Sequence, residues 1–392
     1  MASTTCAIIA EYNPFHNGHA YHLRRAKELS GDDKVLVLLS SFFTQRGEGV
    51  ILSPYARAEM ALRCGADVVL AAPCLSSVRE ADTYALHNVL ILNQLPAVTH
   101  LAFGAETDDL DLLKTIATIL EEPNDKLDAA IRRYAALGAS HAEALSSAVE
   151  EMYGFPAQIL SSPNNILAVC YLRALLRTGS KIIPLLIPRA GEYHALKINP
   201  LFPSAASLRR AILRGDWASI RSAMPPDCYT ILTRAAMRKE IFNPLALDQM
   251  LQYRLATISR QQFRSLPDAY EGIENYFLKQ NRDVMCRQDM LQHFSTRRYS
   301  QSRVSRLLCH MLLGTNVTAW RKPPAYVHFI GCRSSAAAAL GKLPTGSSLG
   351  IIYRRTRAEN GEVLQKDRQA EEIWRLCAGM EKSRTLRRTI IF

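Results

Sequence analysis

The sequence predicts an α/β protein: a Rossmann-like, doubly wound parallel sheet followed by a mainly helical, basic C-terminal domain. Three observations lead there. Short apolar runs alternate with amphipathic stretches from Cys6 to Ile187, the pattern of strands separated by helices. Runs such as Lys34–Ser40, KVLVLLS, are apolar at nearly every position, as in strands buried on both faces. The charge balance also changes along the chain. Residues 1–224 carry 21 Lys+Arg against 22 Asp+Glu and residues 225–392 carry 27 against 14, so the net charge of +12 belongs to the C-terminal part. That surplus suits a polyanion, nucleic acid first; a solvated basic surface is the alternative. The expected division is 1–224, 225–320 and a small α+β cap over 321–392.

Taken in order, Cys6–Ala10 reads as the first strand, and a polar turn containing Pro14 leads into an amphipathic helix over His19–Leu29. Lys34–Ser40 is the second strand, and the loop 41–49 follows with Gln45-Arg46-Gly47 at its tip. Ser53-Pro54 opens a helix through Arg63, proline being tolerated in a first turn. Val68–Ala71 is a third strand and Ser77–Gln94 a helix. His100–Phe103 is a fourth strand, and Asp108–Leu120 and Asp125–Glu151 are helices, the second interrupted near Gly138. Asn164-Asn165 caps a helix to Leu176, and Lys181–Ile187 is the fifth strand. Pro225-Pro226 marks a boundary, after which Tyr229–Leu313 has helical periodicity and strands vanish until Ala325–Gly331 and Gly350–Arg354. No apolar run approaches the ~20 residues of a membrane span. The first apolar stretch is short and lacks a basic leader, and nine cysteines occur without a C-x-x-C pair, so a reducing cytoplasm is expected.

Chemistry concentrates in His16-Asn17-Gly18-His19, an H-x-G-H element where the first strand hands over to a helix. A helix N-terminus offers unpaired N–H groups and a partial positive charge. Two imidazoles three residues apart add donors for a polyphosphate, as the α/β-phosphate region of ATP requires when pyrophosphate departs. His16, His19 and His22 could instead suggest a metal, but no acidic or cysteine ligand accompanies them at zinc spacing. His16, Arg46, Gly104 and Arg189 each follow a predicted strand, so all four can face one crevice at the carboxyl edge of the sheet. Ser204 caps a helix whose first turn brings Ser207 and Arg209, a second phosphate-gripping end or an ordinary serine-capped helix. Farther on, Arg297, Arg298 and Tyr299 precede a helix in which Val304, Leu307, Leu308 and Met311 form an apolar stripe. Arg303, Arg306 and His310 form a basic one, read as a surface that tracks an RNA backbone.

These motifs resemble the nucleotidyltransferase superfamily of adenylate-forming enzymes. EYNPFHNGHAYH, QRGE, RAEMAL, GAD, FGAE, SPNNIL, the Tyr193-His194 pair, SAASLRR and RRYSQSRVSRLLCHMLLG occur in the order seen in the bacterial tRNA(Met) cytidine acetate ligase family. The resemblance implies a nucleotidyltransferase-type sheet and a two-step, ATP-dependent ligase. Acetate, the co-substrate, attacks ATP to give acetyl-adenylate, and the acetyl group passes to N4 of the wobble cytidine of elongator tRNA(Met), the expected partner. It also implies that His16 and His19 are catalytic. ATP is then held by Ile9, Ala10, Glu11, Asn13, Pro14, Phe15, His16, Asn17, Gly18, His19 and His22. Gly104, Asn164 or Asn165, and Arg189 join them, with Ser204 and Arg209 at the second helix end; Mg2+ accompanies the nucleotide. The chain has Ser40-Ser41-Phe42-Phe43, Pro54-Tyr55 and Ala71-Ala72-Pro73 where the family usually has S-G-N-F, Lys-Trp and Glu-Leu-Pro. Two other readings stay open: a small-molecule adenylyltransferase of the same superfamily, and a tRNA-binding protein that has lost catalysis.

Overall fold

The computed structural model describes residues 4–188, 203–280, 286–336, 347, 349–352, 361–381 and 389–391. Among them, eight strands make one sheet: β1 (Thr5–Ala10), β2 (Lys34–Ser40), β3 (Val68–Ala72), β4 (Val98–Ala105), β5 (Ile183–Pro188), β6 (Tyr326–Cys332), β7 (Gly350–Ile352) and β8 (Ile390–Ile391). Their order is β5-β4-β1-β2-β3-β6-β7, with β8 beside β6. The first five strands run parallel, and Ile8 of β1 stands opposite Val37 of β2 on one side and Ala102 of β4 on the other. Strand order therefore reverses at β1, and the crevice outside its carboxyl end is where ligands of such sheets bind.

Burial on both faces explains why β1, β2 and β3 read as unbroken apolar runs. Cys6, Ile8, Val35, Val37 and Leu39 point into one core. Ala7, Leu36, Leu38, Val68 and Leu70 point into the other. Helices α1 (Asn17–Ser30) and α2 (Pro54–Arg63) cover the first face, and Ser53 caps α2 by accepting the Ala56 N–H at 3.2 Å. The expected helix over 77–94 is instead two, Cys74–Ser77 and Ala81–Asn93. Arg79, 2% exposed, breaks it by donating to the carbonyls of Leu75 and Trp320 while its guanidinium lies 4.3 Å from the Trp320 ring.

The described part of 321–392, expected as a small α+β cap, joins the main sheet: β6 pairs antiparallel with β3, Leu70 opposite Phe329, and β7 and β8 flank β6. Trp374, on the helix Glu362–Cys377, is fully buried beside Phe42 and donates its Nε1–H to Val50 O at 2.6 Å. The change to helices after residue 225 likewise marks no break in the interior. Ile231, Leu232, Phe263 and Phe277 belong to the same core as β1 and β2.

Candidate active site

The H-x-G-H turn is built from its own side chains. His16 is the N-cap of α1, and its Nδ1 accepts the Gly18 N–H at 3.1 Å. In the neutral ring that leaves the proton on Nε2, a donor of the kind a phosphate oxygen accepts. The His19 ring stacks on His16 with centroids 3.7 Å apart and rests against Tyr12 and Phe15 at 4.8 and 5.7 Å. A side chain at Gly18 would meet His16 Cε1 at 3.0 Å and Nδ1 at 3.2 Å, so glycine here keeps the first imidazole in place. Phe15 and Pro14 are buried beneath the turn, and His22 lies half-buried one turn later.

The unpaired amides expected at this helix start are not found. Asn17 N–H donates to Ala223 O at 3.1 Å, Gly18 N–H to His16, and His19 N–H to His16 O at 2.9 Å. The reason is local: a histidine cap uses the groups it would otherwise leave exposed, and the Ser222–Ala223 segment covers the rest. The Asn17 amide is drawn to the same segment and donates to Ser222 O at 2.9 Å. With those amides engaged, what this end presents to a ligand is the imidazoles and the helix dipole.

Around the turn, the carboxyl ends of β1 and β2 are tied together by one buried guanidinium. Arg57 of α2, 0% exposed, donates Nε–H to Leu52 O at 3.0 Å and its Nη groups to Glu11 O, Ser40 O and Ser41 O. Burial lowers its pKa to about 9. Glu11, half-buried beyond Ile9 and Ala10, accepts the Gln45 N–H at 2.7 Å, and burial with Glu48 nearby raises its pKa. Asn13 is buried, its Oδ1 accepting Ile51 N–H at 2.7 Å and its carbonyl accepting Arg209 Nη1 at 2.9 Å. Arg209 also pairs with Glu48 at 3.4 Å. Ser204, 8% exposed, caps the Arg209 helix by accepting Ser207 N–H at 3.1 Å. The second helix end is thus joined to the first through Asn13.

On the other side of β1, Gly104 lies two residues past Ala102, the partner of Ile8, and so stands level with Ala10. Asn165 Oδ1 accepts the N–H groups of Glu106 and Thr107 at 2.8 and 3.1 Å. Glu106 in turn accepts from Asn164 Nδ2 at 2.6 Å and Asn165 N–H at 2.8 Å. Asn164 and Asn165 are thus held against the turn that follows Gly104, with Glu106 as the residue that locks them. Arg189 and the Tyr193-His194 pair lie outside the described residues. Arg57 and Glu106, which lie within the RAEMAL and FGAE motifs, are not among the residues the sequence singles out. For Arg57 a signal existed: an arginine on the apolar face of a helix, between Tyr55 and Ala58.

The basic stripe expected on the helix Gln301–Leu313 is corrected. Arg303 and Arg306 are each 6% exposed and Tyr299 is 7% exposed. Arg306 forks onto both Asp268 oxygens at 2.8 and 3.1 Å. Arg303 pairs with Glu271 at 2.8 Å and lies 3.6 Å from the Tyr270 ring, while Tyr299 OH donates to Glu271 O. The helix is enclosed rather than exposed on one face, so its charges are neutralised internally. Arg297 and Arg298 remain exposed.

Comparisons with known proteins agree with this geometry. The family model described as HIGH Nucleotidyl Transferase matches residues 3–388. A tRNA(Met) cytidine acetate ligase of Syntrophomonas wolfei subsp. wolfei is 32% identical over 390 residues, covering 94% of each chain. One from Thermoanaerobacter sp. (strain X514) is 30% identical over 380 residues with the same coverage. Among solved structures, Thermotoga maritima TmcAL bound with alpha-thio ATP superposes with a TM-score of 0.83 at 27% identity, covering 94% of this chain and 92% of that one.

Proposed function

The chain belongs to the tRNA(Met) cytidine acetate ligase family of HIGH nucleotidyl transferases, and from that membership we propose an ATP-dependent RNA-modifying ligase. It activates acetate as acetyl-adenylate and transfers the acetyl group to N4 of the wobble cytidine of elongator tRNA(Met). The observation that carries this reading is the stacked His16–His19 pair at the carboxyl end of β1, in a chain alignable almost end to end with those relatives.

Acetate oxygen attacks the α-phosphorus of ATP, the bond to the β-phosphate bridging oxygen breaks, and pyrophosphate leaves. Negative charge grows on the phosphate oxygens as it does so. Imidazole donors fixed before the reaction stabilise that charge without reorganising, which is why His16 and His19 take the catalytic roles. Gly104, level with Ala10 across β1, and the Asn164–Asn165 pair held on Glu106 suit the nucleoside. Arg209, held on Asn13 O, suits the phosphate end. Magnesium would arrive with the nucleotide phosphates. In the second step the cytidine N4 attacks the acetyl carbonyl carbon, loses a proton, and AMP departs. For the RNA, the exposed Arg297 and Arg298 are the first contacts to test. A Cβ at Gly138 would lie 3.4 Å from Arg297, so the turn after the helix Asp125–Ala136 borders the same surface.

Incubation with ATP, labelled acetate and tRNA(Met) should place label in cytidine and release pyrophosphate. His16→Ala should lower the rate by about 10²–10³ with little loss of tRNA affinity. No label in any tRNA, or an unchanged rate for the variant, would overturn the reading.

A further inference from the structure

Away from the crevice, two thiols distant in sequence meet at the seam between the sheet and the helices that follow it. Cys64 caps the C-terminus of α2, and Cys228 lies in the first turn of the helix Pro226–Met237. Their Sγ atoms are 3.4 Å apart across 164 residues of sequence. Cys64 is half-buried and Cys228 fully buried, so of the two residues Cys64 is the one that presents surface to solvent. Arg333 anchors beside Cys64 by donating to Leu62 O at 3.0 Å. The hydrogen bond with Cys228, with the Arg333 charge nearby, lowers the Cys64 pKa against burial and the Asp227 carboxylate; contact with Cys64 and burial raise that of Cys228. The seam matters to the site. Residues 222 and 223, just before Cys228, hold Asn17 of the H-x-G-H turn, and α2 carries Arg57.

We propose that Cys64 and Cys228 are a modification site: a peroxide-reactive pair that closes reversibly into a disulfide linking α2 to the helix Pro226–Met237. The Cys64 thiolate attacks one oxygen of hydrogen peroxide, the O–O bond breaks, and the departing hydroxide takes a proton to leave as water. Cys64 is now a sulfenic acid. The Cys228 sulfur then attacks Cys64 Sγ, losing its proton, and the sulfenic hydroxyl leaves as a second water. Two thiols are oxidised by two electrons and one peroxide is reduced to two waters. The sulfurs must close from 3.4 Å to the ~2 Å of a disulfide. Such a pair is the reversible kind of disulfide met in a reducing compartment.

The test uses the full-length reduced protein, treated with one equivalent of hydrogen peroxide, alkylated, and mapped as peptides without reduction. The expected product is a peptide pair joining 64 to 228, lighter by two hydrogen atoms, with both thiols regained on adding dithiothreitol. The oxidised protein should melt at higher temperature than the reduced one. Cys228→Ser, close in size, should trap the Cys64 sulfenic acid as a dimedone adduct. Alkylation of both thiols after peroxide, a linkage to another cysteine, or Cys64 driven to sulfinate while Cys228 stays a thiol would overturn the proposal. These readouts are independent of the ligase reaction.

Discussion

His310 shows how far the fold can silence a side chain. It is fully buried on the helix Gln301–Leu313, with neither ring nitrogen in a well-formed hydrogen bond among the described residues and its ring nearly perpendicular to that of Trp320 at 6.5 Å. Burial pushes its pKa down to about 3, and burial with Arg79 nearby does the same for His87. In the unfolded chain each would titrate near about 6.5. A depressed histidine pKa means that the unfolded state binds the extra proton, so stability is complete above about pH 6.5 and falls as acid is added down to about pH 3. Each histidine adds a slope of at most about 1.4 kcal/mol per pH unit in that window. Denaturant unfolding of His310→Leu at pH 7.5 and pH 5 should therefore show a smaller acid loss than the parent; parallel profiles would refute it. The H-x-G-H residues, by contrast, were legible in the sequence, because cap, glycine and both rings lie within four consecutive positions.

Elements were legible where burial imposes a pattern and illegible where distant residues decide it. β1, β2 and β3 emerged within a residue of their ends because two-faced burial makes them continuous apolar runs, whereas β5, at the sheet edge with only Ile187 buried, emerged from its apolar composition alone. The helix Gln301–Leu313 carries an equally regular basic stripe, yet that stripe faces inward. Its partners are Asp268 and Glu271, on a connection where both residues take positive φ, 63° and 61°. Nothing local announces that such a connection will place two carboxylates against a helix 30 residues later. The consequence is a prediction opposite to the one the stripe suggests. Arg306→Ala leaves Asp268 buried without its fork, which typically costs about 3–5 kcal/mol, and should leave the salt dependence of RNA binding unchanged. Urea unfolding and RNA titrations at two salt concentrations check both halves. A stable variant with a flattened salt slope would return the helix to the surface.

At the scale of the whole molecule, the +13 surplus after residue 224 and the shape of the sheet lead to the same conclusion. With Arg303 and Arg306 neutralised inside, that surplus is carried elsewhere, while the C-terminal segment itself completes the catalytic sheet. β6 covers the edge of β3, and Phe42 and Val50 meet Trp374 across the interior. A catalytic body confined to residues 1–224 would survive deletion of residues 225–392. Here the deletion strips β3 of its neighbour, exposing an apolar edge of the kind that pairs with other chains, and removes Trp374 and the apolar residues of the helix Pro226–Met237 from the core. Fragment 1–224 is therefore expected to aggregate, with no cooperative thermal transition and no pyrophosphate release at conditions where the full chain is active. Sedimentation and calorimetry of the fragment decide the matter. A monomeric fragment that melts cooperatively and turns over ATP would make the C-terminal half an appendage, and would show that the catalytic sheet closes without its antiparallel strand.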